Sequence, residues 1–207
     1  MKYQLTPEGE KLFIDNEGLN QPYRWPGGNS GITLGYGYDL AHHTTRELLK
    51  DWGPFLTSNQ YSRLCRAIGQ SGINASGLAG TYLDIKITRN MALTVFTNAS
   101  IPKYWALTQA AFPNVDKLCP QARDALLSLV YNRGSDTDGS NPRRKEMDNI
   151  EQILADGVQA GDYAAIAREL RSMKRLWEGK HLDGLIRRRE EEARLVESCI
   201  EKGATTP

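Results

Sequence analysis

The stretch from residue 17 to residue 39 constrains the fold more than any other part of the chain. It reads EGLNQPYRWPGGNSGITLGYGYD, and apolar residues alternate with small or polar ones over its last eight positions. Successive side chains of an extended strand point to opposite faces, so this pattern predicts a strand over 32–39. The apolar face consists of Ile32, Leu34, Tyr36 and Tyr38. The small or polar face consists of Thr33, Gly35, Gly37 and Asp39.

These two faces predict different surroundings. We expect the apolar face to join a core, whereas Gly35 and Gly37 on the other face are expected to leave room for a ligand beside the backbone. An acid facing such a bare strand suits the cleft of a sugar-cleaving enzyme. Glu17, at the start of the same stretch, is the candidate for that acid.

Glu17 is predicted to end the first helix. Thr6 followed by Pro7 is typical of a helix start, and Gly18 favours a left-handed helix end. The negative end of the helix dipole, together with partial burial, is expected to raise the pKa of the Glu17 carboxyl group. A carboxylic acid that is protonated near neutral pH can act as a general acid. The alternative is a solvated glutamate at a helix end.

The remainder of the chain predicts helices. Capping-box patterns at 44–47 and 57–60 open two of them. Apolar residues at helical spacing make 120–131 the predicted central buried helix. Pairs of opposite charge four residues apart are typical of a solvated helix face over 182–202. The predicted fold class is α+β, mainly helical with a small sheet.

Composition excludes several classes of function. The net charge of +1 gives no overall field that favours nucleic acid or a membrane surface. Cys65, Cys119 and Cys199 are far apart and lack metal-ligand spacing, so we interpret them as reduced thiols and expect no metal or cofactor. The N-terminus is too polar for a signal peptide and no apolar run has the length of a membrane span, which predicts synthesis in the cytoplasm.

Three separated stretches together resemble the phage-type lysozyme (muramidase) superfamily. The first is Glu17-Gly18 followed by GITLGYG at 31–37. The second, ALLSLVYNRG at 125–134, is similar to the long central helix of that family and the turn after it. The third, GLIRRRE at 184–190, is similar to the arginine-rich motif near the C-terminus of family members.

This resemblance implies a fold and an activity. The expected fold is two-lobed and lysozyme-like, with a small antiparallel sheet in the N-terminal lobe of a single domain over residues 1–207. The smaller lobe would span roughly 17–85, and the helical lobe roughly 86–207 together with the first helix. The implied activity is cleavage of the bond between N-acetylmuramic acid and N-acetylglucosamine in the glycan strands of peptidoglycan, and we expect a monomer.

The resemblance also assigns the catalytic residues. Glu17 matches the catalytic acid, and Thr33 matches the threonine that helps to hold the attacking water. Ordinary phage lysozymes carry an aspartate nine residues after the glutamate, but that position is Pro26 here. Asp39, six residues after Thr33, is therefore the candidate second carboxylate, an order similar to the pesticin-like muramidase branch.

The spacing of Thr33 and Asp39 leaves two possibilities open. A straight strand would place them roughly 20 Å apart, too far to share one water molecule. Either Gly35 and Gly37 bend or reverse the strand, or only one of the two residues is catalytic. The alternative for Asp39 is a helix-capping aspartate.

The implied mechanism is hydrolysis by two carboxyl groups through an oxocarbenium-like transition state. Glu17 would protonate the leaving oxygen, while Asp39 with Thr33 would orient or deprotonate water, or screen the developing positive charge. One of three consecutive arginines at 187–189 is expected to pair with Glu17 or orient it. The candidate substrate-binding residues are Tyr36, Gly37, Tyr131, Asn132, Tyr23 and Trp25.

Other functions remain open at this point. A chitin- or chitosan-cleaving hydrolase with the same fold would carry similar paired acids, and a non-catalytic relative would only bind peptidoglycan. For a muramidase we expect action in the periplasm or on the cell wall, as an endolysin released through a holin or as an injected effector. An effector would have a cognate immunity protein as a further partner.

Overall fold

The computed structural model describes residues 3–201 and shows a mainly helical α+β fold, as the sequence predicts. Its two short strands are β1 (Thr33–Leu34) and β2 (Tyr38–Asp39), which pair antiparallel. None of the helices in the described part of the chain is long and apolar enough to cross a membrane. The α-helices are α1 (Pro7–Glu17), α2 (Thr45–Trp52), α3 (Ser58–Leu64), α4 (Gly72–Ala79), α5 (Arg89–Val95), α6 (Ile101–Ala111), α7 (Pro120–Arg133), α8 (Lys145–Leu154), α9 (Asp162–Ser172) and α10 (Asp183–Glu201).

The chain divides into two compact units, which we call the hairpin unit (residues 17–102) and the helical unit (described residues 3–16 and 103–201). The hairpin unit extends beyond residue 85, where the sequence placed the end of the smaller lobe. It does so because the segment after residue 85 packs on the hairpin. The Tyr36 ring lies edge-on to Phe96 with centroids 5.8 Å apart, and a side chain at Gly35 would meet Ala92.

The hairpin unit is built around the apolar face of the predicted strand. Ile32, Leu34, Tyr36 and Tyr38 are each at most 4% exposed, which confirms that this face belongs to a core. The two capping boxes are also confirmed, because the Thr44 hydroxyl pairs with Glu47 at the start of α2 and 57–60 forms the same motif before α3.

The helical unit is organised around α7. Seven consecutive residues at 124–130 are buried, α10 packs along α7, and Gly134 ends the helix with a φ of 79°. The predicted central buried helix is therefore confirmed. Its Asp124 accepts hydrogen bonds from the backbone N–H and the hydroxyl of Thr6, at 2.9 and 2.6 Å, and so fixes the start of α1.

A disulfide in the helical unit corrects the interpretation of the cysteines. Cys119, at the start of α7, is bonded to Cys199, near the end of α10, and their Cα atoms lie 6.3 Å apart. Their separation of 80 residues concealed this pairing, which depends on how α10 packs against α7. The prediction of three reduced thiols is wrong for these two residues, while Cys65 keeps a free thiol.

Candidate active site

The hairpin brings Thr33 and Asp39 together. The chain reverses between β1 and β2, where Gly35 and Gly37 have φ angles of 55° and 78°, and Thr33 lies directly opposite Asp39. Directly paired residues of antiparallel strands have Cα atoms about 4.5–5.5 Å apart, far less than the roughly 20 Å of a straight strand. The prediction of one continuous strand over 32–39 is therefore wrong, and the reversal that the sequence left open is present.

The space beside Gly35 serves packing within the protein. A Cβ atom at this position would lie 2.9 Å from the Cβ of Ala92 and 3.2 Å from the Trp52 ring. The expectation that Gly35 leaves room for a ligand is therefore wrong, because α5 fills that room. Gly37 is partly exposed, and its contact with substrate stays a prediction.

The Thr33 side chain is almost fully enclosed. Its residue is 6% exposed, and its hydroxyl donates a long hydrogen bond of 3.4 Å to the carbonyl oxygen of Gly31. The hydroxyl thus has a backbone partner two residues earlier, in the segment that leads into β1. Its role in holding water stays a prediction.

The Asp39 carboxylate is held by two backbone N–H groups. Oδ1 accepts from Ala41 at 2.8 Å, which caps the short helical turn at 40–42, and Oδ2 accepts from Gly31 at 3.0 Å. The capping role that the sequence offered as the alternative is therefore present. An ionised carboxylate has about four acceptor positions, so two remain for water or substrate.

β2 is supported by aromatic residues that the sequence analysis did not connect to the site. The Tyr38 hydroxyl donates to Asp51 at 3.0 Å, and the His43 ring stacks on Tyr38 with centroids 3.7 Å apart. Burial, reinforced by the negative charge of Asp51, raises the pKa of Tyr38, so its hydroxyl remains a donor. His43 Nδ1 lies 2.7 Å from the Asp39 carbonyl oxygen, and this contact restrains the backbone of Asp39.

Glu17 is the last residue of α1, as predicted, and Gly18 follows with a left-handed φ of 64°. The Glu17 residue is partly exposed. Thr6 accepts a hydrogen bond from the Gly9 N–H at the start of this helix, which confirms the predicted cap before Pro7. The catalytic role of Glu17 stays a prediction.

Asn20 connects Glu17 to the hairpin and was missed from the sequence. Its backbone forms a bridge with Gly35, through N–H to carbonyl hydrogen bonds of 2.8 and 3.0 Å. Its side-chain Nδ2 also donates to the Glu17 carbonyl oxygen at 3.1 Å and to that of Gly35 at 3.0 Å. The available signal was a short polar side chain three residues after Glu17, beyond a left-handed glycine, where such residues commonly bond to the backbone.

Tyr23 and Trp25 lie in the turn-rich segment before the hairpin. Lys86 Nζ lies 4.0 Å from the centre of the Tyr23 ring, and Trp25 Nε1 donates to the Ser30 carbonyl oxygen at 2.8 Å. Both aromatic residues are partly exposed, so their rings retain accessible surface. Their stacking on sugars stays a prediction.

The other predicted substrate contacts have different surroundings. The Tyr36 ring is 4% exposed and belongs to the core of the hairpin unit. In the helical unit, Tyr131 packs against Phe13 and Tyr104, with ring centroids 5.4 and 4.3 Å away. Asn132 lines a cavity of the same unit. Substrate contacts by Tyr36, Tyr131 and Asn132 stay predictions.

The three arginines at 187–189 differ in burial. Arg187 is largely exposed and lies 3.7 Å from Glu191 on its own helix. Arg188 and Arg189 are buried with Glu192, and Arg189 Nη2 donates to the Glu192 carboxylate at 2.6 Å. The Ser128 hydroxyl on α7 donates a hydrogen bond of 2.6 Å to the Glu192 carboxylate. This buried network therefore stabilises the contact of α10 with α7. That one of these three arginines pairs with Glu17 or orients it stays a prediction.

The sequence of this chain matches the model of a known protein family. The family model for phage lysozyme matches residues 15–192. The match includes Glu17, the hairpin, α7 and the arginine run of α10. No curated protein matches the sequence.

Proposed function

Because the chain belongs to the phage lysozyme family, a family of glycoside hydrolases, we propose that it cleaves the bond between N-acetylmuramic acid and N-acetylglucosamine in peptidoglycan. The observation that best supports this proposal is the hairpin, which pairs Thr33 with Asp39. Asn20 bonds the turn of the same hairpin to the backbone of Glu17. These contacts join the three predicted catalytic residues to one small framework.

The proposed mechanism uses two carboxyl groups. Glu17 gives its proton to the glycosidic oxygen as the bond to the muramic acid C1 breaks. A water molecule, oriented by Thr33 and Asp39, attacks the oxocarbenium-like C1 and loses its proton to Asp39. Because Thr33 acts as a water holder in this scheme, we propose inversion at C1, for which the two carboxyl groups stand about 6.5–9.5 Å apart.

The first test is the variant Glu17→Gln. It keeps the shape of the side chain but removes the proton donor, so the rate of clearing of purified peptidoglycan should fall by roughly 10²–10⁴-fold. Glu10→Gln is the matched control, since Glu10 is an exposed residue of the same helix and should leave the rate unchanged.

Two outcomes would contradict the proposal. Clearing of peptidoglycan at the wild-type rate by a folded Glu17→Gln protein would exclude Glu17 as the general acid. Preferential cleavage of chitosan over peptidoglycan by the wild type would favour the chitin-type hydrolase, and binding of peptidoglycan without cleavage would favour a non-catalytic relative.

We further propose that the protein is made in the cytoplasm, reaches peptidoglycan by release through a holin or by injection into a target cell, and acts in the periplasm or on the cell wall. Expression in the bacterial cytoplasm should then be tolerated, whereas fusion to an export signal should cause lysis. Glu17→Gln in the exported form is the control and should not lyse the cells. Equal toxicity of the cytoplasmic and exported forms would point to a cytoplasmic target.

A further inference from the structure

A basic cavity lies at the C-terminal end of α7, within the helical unit. Its volume is about 350 Å³, which is within the range of sites for small ligands. Among the described residues that line it, three are arginines, Arg133, Arg143 and Arg144, and one, Asp136, is acidic. We call it the arginine cavity.

The positive charge of the arginine cavity is only partly neutralised. Arg144 Nε lies 3.3 Å from the Asp136 carboxylate. Neither Arg133 nor Arg143 forms an ion pair with a carboxylate among the side chains that the structure describes, residues 3–200. The cavity is therefore lined by two guanidinium groups without a direct carboxylate partner in that range, that of Arg143 exposed and that of Arg133 partly buried.

Arg133 is the most constrained of these groups. Burial, together with the positive charges of Arg189 and Arg144, lowers the pKa of Arg133 to about 10. Its Nε is buried and has no hydrogen-bond partner within the described chain. An anion in the cavity would relieve the repulsion among these positive charges.

The cavity is formed by a loop with a defined backbone. Arg144 Nη1 donates to the Arg133 carbonyl oxygen at 2.7 Å, and Arg133 Nη2 donates to the carbonyl oxygen of Arg143. The Arg143 N–H donates to the Asn141 side chain at 3.0 Å. These bonds hold the loop against the end of α7 without using the exposed Arg143 guanidinium, which remains available for a ligand.

The walls suit an anion attached to a partly apolar chain. The Arg133 guanidinium lies 5.1 Å from the centre of the Trp177 ring, and Leu185 adds a second apolar side chain. Asn132 offers an amide beside them. Guanidinium groups bind planar carboxylates through paired hydrogen bonds, whereas Trp177 and Leu185 can pack against methylene groups.

We propose that the arginine cavity binds a carboxylate of the peptide stem of peptidoglycan, an inference that rests on the proposed function. The glycan backbone of peptidoglycan is substituted with acidic peptides, whereas chitin carries no acidic group and chitosan is cationic. A basic cavity would therefore favour the peptide-bearing polymer. The arginine cavity is a determinant of specificity separate from the carboxyl groups that break the bond.

The test is a titration of the full chain with a soluble fragment, N-acetylglucosaminyl-N-acetylmuramyl-tetrapeptide, followed by calorimetry. This fragment lacks the bond that the enzyme would cleave, so binding is measured without turnover. The comparison ligands are the same fragment with its peptide carboxylates amidated and the disaccharide without peptide. The proteins are the wild type, Arg143→Gln and the matched control Arg168→Gln, which removes an exposed arginine of α9.

We expect Arg143→Gln to weaken binding of the acidic fragment about tenfold, the loss of one charged hydrogen-bonding group. Arg168→Gln should bind it like the wild type. Amidation of the peptide carboxylates should weaken binding of the fragment to the wild type by at least the same factor of about ten. Circular dichroism of Arg143→Gln should show an unchanged fold, since only the backbone of Arg143 is used in the loop.

Three results would each overturn the proposal. The first is no measurable binding of the acidic fragment to the wild type, and the second is equal affinity of the wild type for the acidic and amidated fragments. The third is equal affinity of Arg143→Gln and Arg168→Gln for the acidic fragment. Clearing of peptidoglycan by the wild type in the same preparation keeps these failures distinct from failure of the proposed function. A wild-type protein that does not cleave peptidoglycan would count against the proposed function itself.

Discussion

The variant Asp39→Asn separates the two roles that the structure allows for this residue. If Asp39 only caps the turn at 40–42, its loss should affect stability but not the chemistry of the folded enzyme. If its carboxylate also takes the proton of the attacking water, asparagine should remove most activity even where the protein is fully folded. The two effects can be measured independently.

The cost in stability follows from the two hydrogen bonds of the carboxylate. Asparagine has one side-chain oxygen, so it can accept from the N–H of Ala41 or of Gly31, but its NH₂ group must face the other. Losing one hydrogen bond to a charged acceptor costs about 1.5–3 kcal/mol. For a chain of this size, that corresponds to a fall of about 3–12 °C in Tm. Domains are commonly stable by about 5–15 kcal/mol, so the variant should remain folded at 25 °C.

Gly31→Ala is the matched comparison because it keeps the negative charge of Asp39 but displaces the carboxylate. A Cβ at residue 31 would lie 2.2 Å from Asp39 Oδ1 and 2.8 Å from the N–H nitrogen of Ala41, so the carboxylate must shift. Thermal unfolding gives the stability of both variants, and the release of soluble fragments from peptidoglycan at 25 °C gives their activity. We expect both variants to lose stability, and both to lose at least tenfold in kcat if the position and charge of Asp39 support catalysis.

Unchanged kcat in a folded Asp39→Asn protein would refute this reasoning. Glu17 would then act with Thr33 and water alone. Unchanged Tm in Asp39→Asn would instead refute the structural part, because it would mean that the two backbone N–H groups do not depend on the carboxylate.

Two further predictions concern the helical unit. The bond between Cys119 and Cys199 closes a loop with a sequence separation of 80, and chain entropy predicts that its reduction lowers the free energy of unfolding by about 4.5 kcal/mol. Denaturant unfolding with and without dithiothreitol measures this difference, with Cys65→Ser as the control. An unchanged unfolding midpoint after reduction would contradict the prediction. Lys174 and then Arg171 lower the pKa of Glu190 to about 2 from its ordinary 4.5, so this group stabilises the fold above pH 4.5 and the contribution disappears as the pH falls through about 2. Glu190→Gln should therefore lower Tm much more at pH 7 than at pH 2, and an equal difference at both pH values would count against the ion-pair network.

Local signals along the chain predicted the elements of the site well. The cap at Thr6, the proline at the first helical position and Gly18 define α1 because each acts on the backbone within a few residues. The alternating pattern at 32–39 likewise identified four apolar side chains that are buried, although Thr33 on the other face is buried as well. Pairing across a reversal preserves the faces of a strand, so the apolar face was predicted correctly although the strand was not continuous.

What the sequence did not predict depends on contacts between distant residues. Gly35 is close to Ala92 and Cys119 is bonded to Cys199, and neither relation leaves a pattern in the intervening residues. The link made by Asn20 was missed for the same reason: its partners Glu17 and Gly18 are local, but Gly35 becomes its neighbour only when the chain folds. Packing thus decided how the predicted elements meet, which local propensity cannot specify.

The two interpretations of Asp39 are compatible on physical grounds. A carboxylate that must orient one water molecule needs a fixed position, and two backbone N–H groups fix it more firmly than a mobile side-chain partner would. The strand partner Thr33 presents its hydroxyl from the opposing position of the same hairpin. The close approach of Gly31 to Asp39 leaves no room for a side chain at residue 31 unless the carboxylate moves, so the glycine keeps the carboxylate in its position. Helix capping at Asp39 is therefore the means by which the hairpin would hold a catalytic carboxylate in place.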